Sequence, residues 1–547
     1  MRDLCFLTLA EAANLIAARK LSPVELVAAH LQRLDAVEPQ IHSYTATDAE
    51  RARDAARRAE AEIMAGRYRG PLHGICYGLK DTIDAVGFAT TANSRLRLDV
   101  RPATDATVQR RLREAGAVLL GKLHTYEYGT GTGADLAALP FPPARNPWDT
   151  ACFTGGSSTG SGAAVAGGTA MFAIGADTGG SIRLPAAACG VVGLKATYGR
   201  VSRAGMLPNC YSLDHVGPLA RSAEDAALVL RAIAGFDPAD PASLATTLDD
   251  LRMFRPVKGL RLGVVRRFHE DDVGADAEVV AAFDRTLSML SSLGAQLIDV
   301  TLPFSQQNAV DCMRVVNNSE CLGIYLRDFR ERRQLMGPAL FDKFMAGALI
   351  PAEAYVRAQR WRRQMAAAID AVLAECDALV CAGAMRPAPA LDDASAVADF
   401  TSESAMAAFS LSGHPALALP TGFSATGLPV GLQLVGRYGD EATILSIARA
   451  AEHETAATPR VPPCEPRSLD VAPKRPARAS PRLSPDEVER LAVSLNVRIE
   501  TDRDRDSAAR QWARMAGILA RLSSDLPVDL EPAMIFRGVG RNSADSF

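Results

Sequence analysis

Two glycine- and serine-rich segments in the first third of the chain constrain its fold more than any other feature. The first is GGSSTGSG at residues 155–162, and the second is DTGGSIR at residues 177–183. Glycine lets backbone N–H groups approach a ligand closely, and glycine-rich turns connect strands to helices. An apolar run at residues 171–174 precedes the second segment. We therefore predict that Ser181 lies in a turn between a strand and a helix.

The serine and lysine side chains near these segments indicate nucleophilic chemistry without histidine. A serine hydroxyl is a weak nucleophile and needs a base. Lys80, in the upstream segment GLKD at residues 78–81, is a suitable base if its amine is neutral. That state requires its pKa to fall by roughly 3 units, which costs about 4 kcal/mol and needs burial or cationic neighbours.

The backbone of the second segment is suited to binding a negatively charged oxygen. We predict an oxyanion hole from the consecutive N–H groups of Thr178, Gly179, Gly180 and Ser181, and one such donor is worth roughly 3 kcal/mol in a transition state. A phosphate-binding or purely structural glycine turn is an alternative interpretation.

Lys80 likewise has an alternative interpretation, as a solvated residue at the end of a strand that pairs with Asp81. Side chains alternate along a strand, which places Lys80 and Asp81 on opposite faces.

Known glycine-rich nucleotide motifs do not match. The chain has no G-x-x-x-x-G-K-[ST] sequence, and Val165 stands where the dinucleotide-binding fingerprint after Gly160 and Gly162 has its third glycine. Nucleotide binding is therefore poorly supported.

Apolar runs alternate with helical patterns over most of the chain. The segment SPVE at residues 22–25 is a capping box with proline at the first helical position, and residues 47–65 form a predicted surface helix. The alternation predicts an α/β fold with a largely buried mixed sheet. Its predicted elements include strands at 74–79, 118–120, 171–174, 262–265, 296–300 and 378–380, and a helix at 106–115.

A change in composition near residue 460 divides the chain. We predict a catalytic domain over residues 1–460, a proline- and arginine-rich linker over 461–484, and a small helical module over 485–547. Within that module, residues 505–522 carry one apolar stripe that includes Trp512 and Met515. About 60 residues bury little surface alone, so we expect the module to dock on a larger body and to support a homodimer or higher homo-oligomer.

Composition and cysteine spacing argue against several kinds of partner and binding site. The net charge of −3 gives no reason to expect nucleic acid or a membrane surface as a partner. The 10 cysteines include no Cys-x-x-Cys pair, which argues against a disulfide framework and against a metal site. The first residues do not match a signal-peptide core, so we expect a cytoplasmic location. We expect no cofactor.

The three segments, in this order, resemble the motifs of the amidase signature family. That pattern has a lysine in G-x-K-D, a serine in G-G-S-S-G-G-S and a nucleophilic serine in D-T-G-G-S-[IV]-R-x-P. Further similar blocks include GPLHGI at 70–75, NPWD at 146–149 and GLPVGLQ at 427–433, and the resemblance covers roughly residues 6–458. It implies the family fold, a mixed and mostly parallel central sheet covered by helices.

The resemblance also implies roles for individual residues. Lys80 is the base, Ser157 the bridging serine after a cis peptide, and Ser181 the nucleophile of a Ser-Ser-Lys triad that forms an acyl-enzyme. Two places depart from the usual pattern: Thr159 replaces a glycine, and Cys76 and Tyr77 replace the proline and the small residue common before the lysine. We expect Tyr77 to narrow the site.

Three further residues are predicted to contact substrate, namely Tyr128, Ser158 and Arg386. Arg386 lies in an otherwise uncharged stretch after a predicted strand, where it is placed to anchor a carboxylate through paired hydrogen bonds. A structural or solvent-facing arginine is the alternative interpretation.

The C-terminal module has a separate resemblance. The segment LPVDLEPAMIF at residues 526–536 resembles the small accessory subunit of carboxybiuret hydrolase, itself similar to the C subunit of tRNA-dependent amidotransferase. An unrelated helical tail is the alternative. We therefore predict hydrolysis of a small amide, urea-type or carbamate substrate, such as a biuret-like compound. A glutaminase (A-type) component of a tRNA-dependent amidotransferase is the second hypothesis, and a catalytically dead scaffold the third.

Overall fold

An eleven-stranded mixed sheet organises the chain. The computed structural model describes residues 3–131, 133, 136–245, 254–455, 460–466 and 501–522. The strand order is β1-β3-β2-β4-β6-β5-β10-β11-β9-β7-β8. The strands are β1 (Tyr44–Thr47), β2 (Cys76–Lys80), β3 (Val118–Leu123), β4 (Phe172–Asp177), β5 (Val192–Lys195), β6 (His215–Ala220), β7 (Arg261–Val264), β8 (Gln296–Asp299), β9 (Ala378–Cys381), β10 (Ala416–Phe423) and β11 (Pro429–Gly436).

Strand direction changes across the sheet. The parallel pairs lie in two groups of three, β3-β2-β4 and β9-β7-β8. The strands between these groups, and β1 at one edge, pair antiparallel. The predicted α/β class with a mixed sheet covered by helices is confirmed. All six predicted strands are present, and their bounds differ from the predicted ones by at most three residues.

Helices cover both faces of the sheet. Alternate residues of β4 enter different apolar clusters, since Phe172 and Ile174 pack in one and Ala173 in another. The longer helices are α1 (Leu9–Ala17), α2 (Pro23–Ile41), α3 (Ala49–Met64), α4 (Thr107–Glu114), α5 (Thr159–Gly167), α6 (Arg183–Cys189), α7 (Ala223–Ile233), α8 (Ala277–Ser292), α9 (Gln306–Glu331), α10 (Pro338–Ala348), α11 (Ala352–Glu375), α12 (Ala394–Ser402), α13 (Ala407–Ser412), α14 (Glu441–Thr455) and α15 (Asp502–Arg521). None of the described helices is long and apolar enough to cross a bilayer.

Local sequence signals explain where several helices begin. Ser22 caps α2 by accepting from the N–H groups of Val24 and Glu25, with Pro23 at the first helical position, as predicted. Thr501 and Asp504 form the equivalent capping box of α15. The predicted helix at residues 505–522 is therefore present and begins three residues earlier.

Helix α15 packs on its own chain. Its residues Met515, Ile518 and Leu522 are buried, and the Arg521 guanidinium donates to both carboxylate oxygens of Asp311 in α9, at 2.5 and 3.1 Å. Because the chain itself covers the apolar stripe, the stripe is no reason to expect assembly through this helix. The predicted linker and the segment 526–536 lie outside the described residues, apart from residues 461–466 of the linker.

Candidate active site

Lys80 lies at the end of β2, in a strand whose five residues are all buried. Its Nζ is 2.8 Å from Ser157 Oγ and 3.4 Å from the Ala176 carbonyl oxygen. Burial lowers the pKa of Lys80 from the ordinary 10.5 to about 7, although the Asp177 and Asp214 carboxylates act in the opposite direction. Lys80 is therefore about half neutral near pH 7.

Asp81 points away from Lys80 and has a different partner. Its carboxylate forms an ion pair with Lys122 Nζ at 3.0 Å, and both side chains are fully buried. The alternative of a solvated Lys80–Asp81 pair is wrong, because neighbouring side chains of a strand face opposite ways.

Ser157 lies in the loop that leads into α5. The Gly156–Ser157 peptide bond is cis, and the Ser157 carbonyl accepts from the Tyr126 N–H at 3.3 Å. Only glycine fits at position 156, because a Cβ there would lie 2.1 Å from the Tyr126 ring. Tyr126 therefore packs against the backbone of this loop, and Lys80 binds the Ser157 hydroxyl.

The turn after β4 is organised by Asp177 and Arg183, two residues to which the sequence analysis gave no role. Asp177 accepts from the Gly180 N–H at 2.8 Å, from the Ile182 N–H at 3.1 Å and from the Arg183 guanidinium at 3.0 Å. Burial acts to raise the Asp177 pKa, but the Arg183 charge and hydrogen bonds outweigh it and hold that pKa well below its usual value. The signal was present, because both residues belong to the DTGGSIR segment.

This turn gives Ser181 its position at the end of the sheet. Gly180 has φ of +129°, a conformation that L side chains rarely adopt. The Ser181 carbonyl accepts from the Ser158 N–H at 3.2 Å, so the two serine-rich segments are directly joined. The Gly180 N–H donates to Asp177 and therefore is not available as an oxyanion donor. The remaining predicted donors are the N–H groups of Thr178, Gly179 and Ser181.

A cavity of about 340 Å³ opens beside Ser181. Tyr126, Gly156, Thr178 and Gly179 line it on the sheet side. The opposite wall comes from three helices, α9, α10 and α15, and includes Arg314, Asn317, Lys343, Gln511 and Arg514. This wall was not predicted from the sequence, because its residues come from distant parts of the chain.

The three predicted substrate residues do not line this cavity. Tyr128 is buried in an apolar cluster, with its ring edge-to-face on Tyr325 at 4.8 Å between centroids. The Ser158 hydroxyl is bound to the Ala176 backbone. Arg386 forms an ion pair with Glu403, which favours the structural alternative for this arginine.

The two departures from the family pattern also have structural explanations. Tyr77 stacks on Phe172 at 5.1 Å between ring centroids, and its hydroxyl bonds to Gln109. It lies away from the cavity, so the expectation that it narrows the site is wrong. The Thr159 hydroxyl donates to the His124 carbonyl at 3.0 Å. Among the described residues, no cluster of His, Cys, Asp and Glu is placed to hold a metal ion.

Comparison with known proteins identifies the family of the chain. The amidase family model matches residues 25–445. The chain is 39% identical over 491 residues to the glutamyl-tRNA(Gln) amidotransferase A subunit of Anaeromyxobacter sp. (strain K), covering 84% of this chain and 99% of that protein. The corresponding protein of Moorella thermoacetica is 38% identical over 479 residues, covering 83% of this chain and 97% of that protein.

Solved structures give the same result. The chain resembles, at TM-score 0.76 and 33% identity, a protein from a vestigial complex described as revealing the origins of an s-triazine catabolic enzyme, covering 82% of this chain and 99% of that one. It also resembles the native peptide amidase of Stenotrophomonas maltophilia at TM-score 0.72 and 33% identity, covering 84% and 98%. The chain therefore belongs to the amidase signature family, enzymes that hydrolyse carbon–nitrogen bonds of amides.

Proposed function

We propose that the protein hydrolyses a small amide, urea-type or carbamate substrate through a Ser181–Ser157–Lys80 relay. The contact that carries the proposal is the 2.8 Å separation between Lys80 Nζ and Ser157 Oγ in a buried position. A buried lysine with a lowered pKa is a competent base at neutral pH. No other described group bonds to the Lys80 amine except the Ala176 carbonyl.

The relay begins with proton transfer. Neutral Lys80 accepts the proton of Ser157 as Ser157 accepts that of Ser181, and Ser181 Oγ attacks the carbonyl carbon. The N–H groups of Thr178, Gly179 and Ser181 are the candidate donors to the resulting oxyanion. The proton returns through Ser157 to the leaving nitrogen, the C–N bond breaks, and an acyl group remains on Ser181.

Water completes the cycle. It adds to the acyl carbonyl and gives a proton to the relay, which passes it to the departing Ser181 oxygen. The acid is released and Lys80 is again neutral. Every proton transfer uses the same three side chains.

An alkyl fluorophosphonate tests the assignment without knowledge of the substrate, because it phosphonylates activated serines with loss of fluoride. We expect mass spectrometry to locate the label on Ser181. Ser181→Ala should remain unlabelled, and Ser157→Ala should react roughly 10³-fold more slowly, the scale seen when such units are broken. Ser161→Ala is the matched control, from the same segment, and should react like wild type. A label on another serine would contradict the proposal.

A glutaminase component of an amidotransferase is the second candidate function. Its support is the similarity to glutamyl-tRNA(Gln) amidotransferase A subunits. These relatives are 38–39% identical to the chain, and the match covers 97–99% of their length. Ammonia release from glutamine by the purified chain, measured beside a panel of aliphatic amides, aryl amides, carbamates and biuret derivatives, separates the two. Glutamine as the preferred substrate supports the glutaminase, and a preference for another amide supports the independent hydrolase.

A further inference from the structure

The cavity wall opposite Ser181 carries an excess of positive charge. Arg314 from α9, Lys343 from α10 and Arg514 from α15 all line it. Among the described lining residues, Asp342 is the one carboxylate. It already accepts hydrogen bonds from Ser507 at 2.5 Å and from Gln511 at 3.1 Å.

None of the three cations forms an ion pair with a carboxylate of a described residue, although Asp311 and Asp342 lie near the two arginines. Lys343 Nζ donates to the neutral oxygens of Thr130, at 3.2 Å, and Asn317, at 2.9 Å, and also to Asn209. Neither the Arg314 nor the Arg514 guanidinium has a hydrogen bond or an ion pair with a described residue. The neighbouring carboxylate of Asp311 is occupied by Arg521.

The Arg514 charge opposes that of Arg314, whereas the Asp311 and Asp342 carboxylates attract these arginines from beyond hydrogen-bond distance. Burial, together with the Arg514 charge, lowers the pKa of Arg314 from the ordinary arginine value to about 9. Both guanidinium groups line one small cavity, Arg314 half-buried and Arg514 exposed. An anion between them would be favoured, because hydrogen bonds between arginine and carboxylate are charge-assisted and often paired. The cavity volume of about 340 Å³ limits that anion to a small molecule.

We propose that Arg314 and Arg514, with Lys343, form an anion subsite that binds a carboxylate of the substrate, so that the preferred substrates are small amides bearing a carboxylate. This proposal rests on the hydrolase function proposed above. It also makes α15, which lies outside the residues matched by the family model, a part of the substrate site. Arg514 rather than Arg386 is then a residue that determines specificity.

Binding to the inactive full-length Ser181→Ala protein tests the subsite apart from catalysis. The probes are malonamate, succinamate and glutaramate, each compared by titration calorimetry with the neutral amide of equal chain length: propanamide, butanamide and pentanamide. We expect at least one carboxylated amide to bind tenfold or more tightly than its neutral counterpart. That preference should shrink as salt concentration rises, because salt screens charge.

Substitutions then identify which residues cause the preference for carboxylated amides. Arg314→Gln and Arg514→Gln, each in the Ser181→Ala background, should remove most of it and leave the neutral amides unaffected. Arg505→Gln is the matched control, since this arginine of α15 pairs with Asp502 outside the cavity, and it should retain the preference.

The outcomes separate the two proposals. Equal binding of carboxylated and neutral amides at all three lengths, or a preference that survives both substitutions, overturns the subsite and leaves the Ser-Ser-Lys assignment standing. Fluorophosphonate labelling away from Ser181 overturns the assignment even if carboxylates bind.

Discussion

Replacing Lys80 by methionine separates its role as a base from its role in packing. Methionine is of similar length and apolar, and it fits a position that is 1% exposed. We expect Lys80→Met to fold and to react with the fluorophosphonate at least 10³-fold more slowly than wild type. Lys80→Arg should be equally inactive, because arginine does not lose its proton in this pH range.

The lowered pKa sets the size of the pH effect on rate. With a pKa of about 7, roughly half of the protein has neutral Lys80 at pH 7, about a tenth at pH 6 and about nine-tenths at pH 8. With the ordinary pKa of 10.5, only about one molecule in 3,000 would be neutral at pH 7. The wild-type labelling rate should therefore rise about fivefold from pH 6 to pH 7, approach about tenfold per pH unit below pH 6, and level off above about pH 8.

The same shift affects stability with a definite sign. Between pH 7 and about 10.4, unfolded Lys80 binds a proton that the folded state has lost, so the free energy of unfolding falls as pH decreases and rises as pH increases. The gain at pH 9 over pH 6 is about 3 kcal/mol, and Lys80→Met lacks it. Ser181→Ala is the control, since it keeps Lys80 and should follow the wild-type stability profile.

Two measurements decide this prediction: labelling rates from pH 5.5 to 9, and denaturant unfolding of the three proteins at pH 6 and pH 9. A flat rate profile, or an active Lys80→Arg or Lys80→Met variant, would refute the role of Lys80 as the base. A stability difference between wild type and Lys80→Met that does not change with pH would show that Lys80 is not neutralised by burial.

Three further perturbations test the supporting structure. Asp177→Asn removes the counter-charge of buried Arg183 and should destabilise the fold by about 3–5 kcal/mol; an unchanged denaturation midpoint would contradict this. Arg386→Gln breaks only the pair with Glu403, so KM for carboxylated and neutral amides should stay in the same ratio, and a selective rise for the carboxylated amide would restore Arg386 as the anchor. Deletion of residues 501–547 uncovers apolar residues of α9 and α10 and removes Arg514, so both thermal stability and carboxylate preference should fall. A truncated protein equal to wild type in both would disprove the role of α15.

The sequence alone determined which segments carry the proposed catalytic residues, and it determined most of the secondary structure. Local signals suffice for both, because strand and helix patterns repeat over a few residues and a capping box spans four. The α2 start at Ser22 and the strands leading to Lys80 and Ser181 followed from such signals. The relation between Lys80 and Asp81 followed from the alternation of side chains along β2.

Only the tertiary structure decided which residues meet at the cavity. Lys80 contacts Ser157 because β2 and β4 are neighbours in the sheet and α5 precedes β4. Arg386 is neutralised by Glu403 and Tyr128 packs on Tyr325, and neither partner is marked by local sequence. The opposite wall joins α9, α10 and α15, which lie as much as about 200 residues apart in the chain. The charge at a site depends on which helices and strands pack together. The residue pattern within one helix or strand does not predict those contacts.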